Sequence, residues 1–252
     1  MTSSQLRTNA RESLKGKWGK AILTNLVYLI IYWAICFVAN LIPILGPIIL
    51  FVISLPLSYG ILVSFIKLKR NEEILSYADF LSWGFEAFGK VWSILGNIIL
   101  KMIVPIVLII IFIMLIFYGL TGSIIGITAD SINICTGFSS IAIIGIIGYI
   151  GSLIYAIIKG YLYCLSFYIL YDNPNKSGKE IVEESERLMN GNRCSFFWLG
   201  LTFIGWSILA SLTFGIGMLW LIPYMSTTFI CFYESLVKTK NDNIEVTPIN
   251  NK

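Results

Sequence analysis

Between Lys20 and Lys67 the chain carries no charged residue, and that silence constrains the fold more than any other feature. The turn-forming run Pro43-Ile44-Leu45-Gly46-Pro47 divides the stretch into residues 21–42 and 48–66. Each piece has about the 20 residues that a helix needs to cross the hydrocarbon of a bilayer. Inside lipid every backbone group must be satisfied within the protein, so such runs read as helices and not as open strands. The whole chain agrees: 57% of its 252 residues are hydrophobic and 13% charged, against about 25% charged in soluble domains, and its mean hydropathy is +0.82. This is the composition of an integral membrane protein. A net charge of +4 does not point to nucleic acid, because the cations are scattered and abut apolar runs as membrane topology requires.

The basic N-terminus before residues 21–42 has the look of a signal peptide. No small-residue cleavage site follows, so an uncleaved first span is expected. In the lead-in, Leu6, Ala10, Leu14, Trp18 and Ala21 recur at helical spacing while Arg7, Arg11 and Lys15 line another face. Two readings fit: a helix on an anionic lipid surface, or simply the positive charges that orient the first span. Pro56 falls inside span two and is expected to kink it, for packing or for gating.

Residues 67–92 form a second polar segment. From it a stripe of Asp79, Ser82, Glu86, Lys90, Ser93, Asn97 and Lys101 runs at steps of three and four, which places all seven on one helical face. Glu86 and Lys90 have the spacing of an ion pair. The stripe reads either as the headgroup-facing side of an interfacial helix or as the polar wall of a pathway between helices. Lys101 would be costly at the centre of a span and cheap at its inner end, which is where it falls if span three covers residues 102–120. An external linker is expected over residues 119–139, with Gly122, Gly126, Gly137 and the lone acid Asp130. In span four, Ala142, Gly145, Gly148, Ser152 and Ala156 share a face leading to Lys159, a packing seam or a ligand groove.

Asp172-Asn173-Pro174-Asn175 should end that helix. Ser177 with Glu180 then makes a capping box, Gly191 a helix stop, and Glu183 with Arg187 an ion pair. Spans five and six are expected over residues 196–212 and 218–237, the sixth kinked at Pro223. A polar cytoplasmic tail, disordered at its end, follows over 238–252. Sixteen of the eighteen Lys and Arg lie in segments 1–20, 67–92, 172–195 and 238–252, and none in the intervening loops. The positive-inside rule then gives six spans with both termini cytoplasmic. The expected fold is an all-α bundle of three hairpins, each preceded by a cytoplasmic amphipathic helix. It forms a single domain over 1–237 with candidate repeats 1–66, 67–171 and 172–237. Short echoes support the repeats, such as Leu14-Lys15-Gly16-Lys17 against Met189-Asn190-Gly191-Asn192.

Three blocks carry a resemblance. Ala10-Arg11-x-x-Leu14-x-Gly16-x-Trp18-x-x-Ala21 opens the chain, and Ser185-x-Arg187-Leu188-Met189-Asn190-Gly191-Asn192 precedes span five. The third runs from Phe203-Ile204-Gly205-Trp206 through Gly215-Ile216-Gly217-x-Leu219-Trp220-x-x-Pro223-Tyr224 to Phe232-Tyr233. Together they resemble an uncharacterised family of six-span bacterial membrane proteins, mostly Gram-positive and known only as a domain of unknown function. The layout is more distantly similar to the membrane domain of glycerophosphodiester phosphodiesterases, without a catalytic domain. Asn71 stands where the family pattern would have glycine before Glu72. The resemblance implies a plasma-membrane location and hands over no catalytic residue.

The chain has no histidine and five cysteines without a C-x-x-C pair. That removes the commonest general base, disfavours a zinc site or disulfide framework, and leaves no cofactor expected. No phosphate-binding loop or nucleophile motif occurs. The acids lie mostly at the expected cytoplasmic surface, which argues against proton or cation transport through mid-membrane carboxylates. Proline kinks at Pro56, Pro105 and Pro223 keep a permease for an apolar or amphiphilic solute in play. The leading reading is a non-enzymatic membrane protein contacting anionic lipid headgroups, a partner protein or a second copy of itself, in envelope homeostasis. The alternative is a transporter or export accessory. Candidate functional or packing positions are Glu86, Lys90, Asn97, Lys101, Lys159, Arg187, Trp220, Pro223 and Tyr224.

Overall fold

The computed structural model describes residues 2–129 and 131–245. Asp130 and the tail residues 246–252 lie outside the described residues. Among the described residues there is no strand. The chain forms α1 (Ser3–Leu14), α2 (Trp18–Asn40), α3 (Leu45–Arg70), α4 (Phe80–Glu86), α5 (Phe88–Lys101), α6 (Ile103–Thr128) and α7 (Ile132–Gly160). After a 3₁₀ turn (Tyr161–Tyr163) come α8 (Ser166–Asp172), α9 (Gly178–Met189), α10 (Arg193–Leu212) and α11 (Met218–Glu245). Two compact units result: Met1–Ile94 with Leu165–Lys252, and Leu95–Cys164.

Among the described residues five helical stretches are long and apolar enough to cross a membrane: α2, α3, α6, the run Ile132–Asp172 and α10. The expected sixth span, α11, is not among them. At 28 residues it is about 42 Å long, so length is not what it lacks. Thr227, Thr228, Tyr233 and Glu234 lower its apolar content, and the first three are buried. In the first unit α11 touches α1, α2, α3 and α10, so its buried hydroxyl side chains face protein neighbours, where they can be accommodated.

Two junctions in the first unit have the same backbone. Between α1 and α2, Lys15 is at φ −59°, ψ 125°, Gly16 at φ 79° and Lys17 at φ −119°, ψ 2°. Between α9 and α10, Asn190 is at φ −65°, ψ 124°, Gly191 at φ 83° and Asn192 at φ −107°, ψ 1°. Only glycine takes the positive φ without strain, so the sequence echo noted above reflects a shared turn. The Ser177–Glu180 capping box forms in both directions, and Thr2 with Gln5 forms a second one on α1.

The amphipathic helices turn their apolar faces inward. Leu6, Ala10 and Leu14 of α1, and Ile181, Val182, Leu188 and Met189 of α9, are buried within the protein. Leu14 and Ala21 pack with Leu68 of α3, while Phe65 and Ile66 of α3 pack with Ile230 of α11. Pro56 lies inside α3 and is buried. A Cβ on Gly84 would stand 2.4 Å from the Pro56 carbonyl oxygen, and one on Gly60 only 1.9 Å from that of Phe80. Close backbone approach of α3 and α4 thus requires both glycines. The stripe expected on one continuous helix from Asp79 is broken at Ala87, which leaves the helical region and separates α4 from α5.

In the second unit α6 and α7 pack along their length as a hairpin. Most of the linker expected over 119–139 is helical, since α6 runs to Thr128 and α7 starts at Ile132. Three of its glycines are contact points: a Cβ on Gly119 would lie 2.5 Å from the Ala142 nitrogen, on Gly122 2.1 Å from the Phe138 ring, and on Gly126 2.5 Å from the Cys135 nitrogen, whereas Gly137 faces open space. Gly145 and Gly148 meet Ile116 and Phe112 in the same way, so the small-residue stripe of span four is a packing seam. The hydroxyls of Ser123 and Ser139 join across it at 3.0 Å. Pro105 falls in the first turn of α6, where no intrahelical bond is lost, and so does not act as a mid-span kink.

Candidate functional site

The charged groups of the first unit converge where α3, α8 and α11 meet. Asn71 closes α3 in the left-handed conformation, its N–H donating to the Lys67 carbonyl, so Lys69 and Arg70 stand on the last helical turn. Arg70 donates from Nη1 to Asp172 Oδ1 at 2.5 Å and from Nη2 to Oδ2 at 3.2 Å, a two-pronged pairing with the end of α8. Its Nε donates to Glu234 Oε1 at 3.2 Å, and Lys69 pairs with the other Glu234 oxygen. Tyr233 donates to Asp172 at 2.9 Å, Tyr171 donates to Glu72, and the guanidinium lies 5.5 Å from the Tyr171 ring centroid. These side chains are neither sealed nor free: the Arg70 and Asp172 side chains are 27% and 26% exposed.

A second knot ties α9 to α11. Glu184 accepts from Lys240 Nζ at 2.5 Å and from Arg187. Burial pushes the Glu184 carboxyl up, but the hydrogen bonds from Lys240 and Arg187 outweigh it and hold the group below the ordinary glutamate value. The expected Glu183–Arg187 pair is thereby replaced: Arg187 reaches back three residues to Glu184, which alone of the two also faces Lys240. Between the knots lies a polar cleft of about 330 Å³ lined by Asp172, Asn173, Lys176, Glu184, Tyr233 and Lys240.

Two further hollows flank this region. One, of about 460 Å³, is lined by Tyr59, Lys67, Trp83, Glu86, Lys90 and Tyr171, with Lys67 Nζ 4.7 Å from the Trp83 ring centroid. Glu86 and Lys90 therefore share a cleft, but no ion pair joins them among the described residues. The other, of about 400 Å³, runs beside α10 and α11 and is lined by Trp18, Trp206, Trp220, Leu221 and Tyr224 with Arg11. Trp220 and Tyr224 are thus brought together. Pro223 is buried beside them on α11, and Tyr224 stacks edge-on to Phe203 at 5.4 Å.

The remaining candidates lie in the second unit. Lys101 is the last residue of α5, two residues before α6 begins, Asn97 precedes it by one turn, and Lys159 of α7 lies 6.0 Å from the Tyr155 ring centroid. Sequence reasoning missed Lys69, Arg70, Asp172, Tyr233 and Glu234 as a cluster. The signal was present in one of them: Glu234 is the sole acid between Met218 and Val237, and an acid in an apolar run calls for a partner. Among the described residues no Asp, Glu, Lys or Arg is fully buried, and no cluster of His, Cys, Asp and Glu could hold a metal ion.

A family model described as "Protein of unknown function (DUF975)" matches residues 1–240. No curated protein and no solved structure matches the chain.

Proposed function

We propose, from the premise that the chain belongs to the DUF975 family, that it is a non-enzymatic six-span protein of the bacterial plasma membrane that engages anionic lipid headgroups on its cytoplasmic side. The first five spans are the five apolar stretches, arranged in hairpins, and α11 is the sixth, shielded from lipid by its neighbours. What supports α11 as a span is its length and its enclosure by α1, α2, α3 and α10. Both termini are cytoplasmic, in keeping with the cation distribution.

The observation that carries the headgroup reading is the cleft of Lys67, Trp83, Glu86, Lys90 and Tyr171, in which two cations outnumber one acid. Two cations beside amphipathic rings form the combination expected at the depth of phosphate headgroups. Because the apolar faces of α1 and α9 are buried in protein, lipid contact there falls to polar faces and clefts. The test is thermal unfolding of the purified protein in detergent with dioleoyl phosphatidylglycerol or dioleoyl phosphatidylcholine added. A ligand that binds the folded state raises the midpoint. The anionic lipid should raise it more than the zwitterionic one, and Lys67→Gln with Lys90→Gln should remove the difference. Equal stabilisation by both lipids in the unaltered protein would overturn the reading. Thiol-reagent labelling of single cysteines added at each terminus, in vesicles of known sidedness, tests the topology.

A second reading, export of an amphiphile, draws on the aromatic groove beside α10 and α11. Transport coupled to protons or cations has little support, since among the described residues no charged side chain is fully buried.

A further inference from the structure

The groove beside α10 and α11 is a consequence of how those helices are joined. Gly217 follows Ala210 by seven residues, and a Cβ on it would stand 2.8 Å from the Ala210 Cα. The two helices are therefore drawn together at their turn. A second contact, Phe203 against Tyr224, closes the seam further along. Between these points Trp206 and Trp220 project from the pair, 56% and 49% exposed. The walls are mainly apolar, and the Thr213 hydroxyl already donates to the Ala210 carbonyl and accepts from the Gly217 N–H, which leaves the indole, phenol and guanidinium groups as the polar contacts there. A peptide laid in this trough would leave its own backbone groups unsatisfied, whereas a hydrocarbon chain would not.

One charge completes the lining. Arg11 of α1 stands at the groove with Trp18, and Trp18 packs against the cluster of Leu14, Ala21 and Leu68. No acidic residue lines the groove, and Arg11 forms no ion pair among the described residues. A lone guanidinium at an apolar trough of about 400 Å³, within the usual range of ligand sites, is complementary to one chemistry: an anionic head on an acyl chain. We infer that this groove is a discrete binding site for a single anionic phospholipid, with its acyl chain along Trp206 and Trp220 and its phosphate at Arg11. The site rests on the membrane-embedded reading above but not on the Lys67–Lys90 cleft, from which it is separate.

The experiment uses the full chain in detergent micelles doped with phosphatidylglycerol or phosphatidylcholine brominated on the acyl chains, with quenching of tryptophan fluorescence as the readout. The native protein should show saturable quenching at a lower mole fraction of the brominated phosphatidylglycerol. Arg11→Gln should move that midpoint by about fivefold, to the phosphatidylcholine value, as expected for one lipid-facing cation. Arg11→Lys should keep most of the preference, and Trp206→Phe with Trp220→Phe should remove most of the saturable amplitude. Lys67→Gln with Lys90→Gln should leave the midpoint unchanged, so failure of the cleft and failure of the groove are told apart. Equal midpoints for the two lipids in the native protein, a preference that survives Arg11→Gln, or an amplitude that survives the double Trp→Phe change would each overturn the inference.

Discussion

Glu234→Gln tests whether the ionic cluster holds α11 against α3. The carboxylate accepts from both Lys69 and Arg70, and the substitution keeps its shape while removing its charge. A hydrogen bond to a charged group contributes about 1.5–3 kcal/mol when well enclosed, and an exposed ion pair about 1 kcal/mol or less. Glu234 is 33% exposed and Lys69 12%, so each contact lies between those limits and the pair together contributes about 2–3 kcal/mol. The Lys69 ammonium, nearly enclosed, is left without its counter-charge, which places the loss toward the upper end. For a chain of this size the expected fall in thermal midpoint is about 5–10 °C, read by circular dichroism in detergent. Glu183→Gln, at an exposed acid of the same unit, serves as the control and should change stability by less than about 0.5 kcal/mol. Lys69→Gln combined with Glu234→Gln should cost less than the sum of the two single changes, because the double variant strands no charge. If Glu234→Gln costs no more than Glu183→Gln, or if the two changes are simply additive, the cluster does not fasten these helices and the reasoning fails.

Gly60→Ala and Gly84→Ala should each destabilise by about 1–3 kcal/mol or more, since the new Cβ meets backbone that cannot yield. Gly200→Ala and Gly205→Ala, which face open space, should cost nothing measurable in the same melts. Ser123→Cys with Ser139→Cys should form a disulfide on mild oxidation, seen as a linked band after cleavage between them, because their hydroxyls lie 3.0 Å apart; absence of the link would refute the continuous α6–α7 hairpin. The Glu184 carboxyl titrates below its ordinary value, so its contribution is fully present above the unfolded value of about 4.3 and is lost as pH falls through the folded value. The stability gap between native protein and Glu184→Gln should therefore be constant from pH 7 to about 5 and close on further acidification. A gap that persisted below pH 3 would show that Glu184 acts through something other than its charge.

Much of the helical layout was legible because its signals are local. Ser177 and Glu180 cap α9 from three residues apart, and Gly16 and Gly191 mark turns that require positive φ. Lys101 is the last residue of α5, just ahead of the apolar helix α6. The glycines between Gly119 and Gly137 misled, because glycine reads as loop in isolation. Opposite Ala142, Phe138 and Cys135 the first three let two helices touch. Arg187 likewise has acids at both i−3 and i−4, and only Lys240, 56 residues away in sequence, selects Glu184.

By itself the sequence determined that this chain is helical and that five of its six expected spans are long and apolar enough to cross a membrane. Hydrophobic burial and backbone satisfaction in lipid act on each segment separately, so they can be read one segment at a time. Only the tertiary structure decided that the amphipathic faces of α1 and α9 are spent inside the protein, that Arg70 joins Asp172 to Glu234, and that Arg11 stands beside the tryptophans of α10 and α11. Those outcomes depend on which helices become neighbours. Neighbourhood is set by shape and by pairing between groups far apart in the chain, and no single helical stretch encodes it.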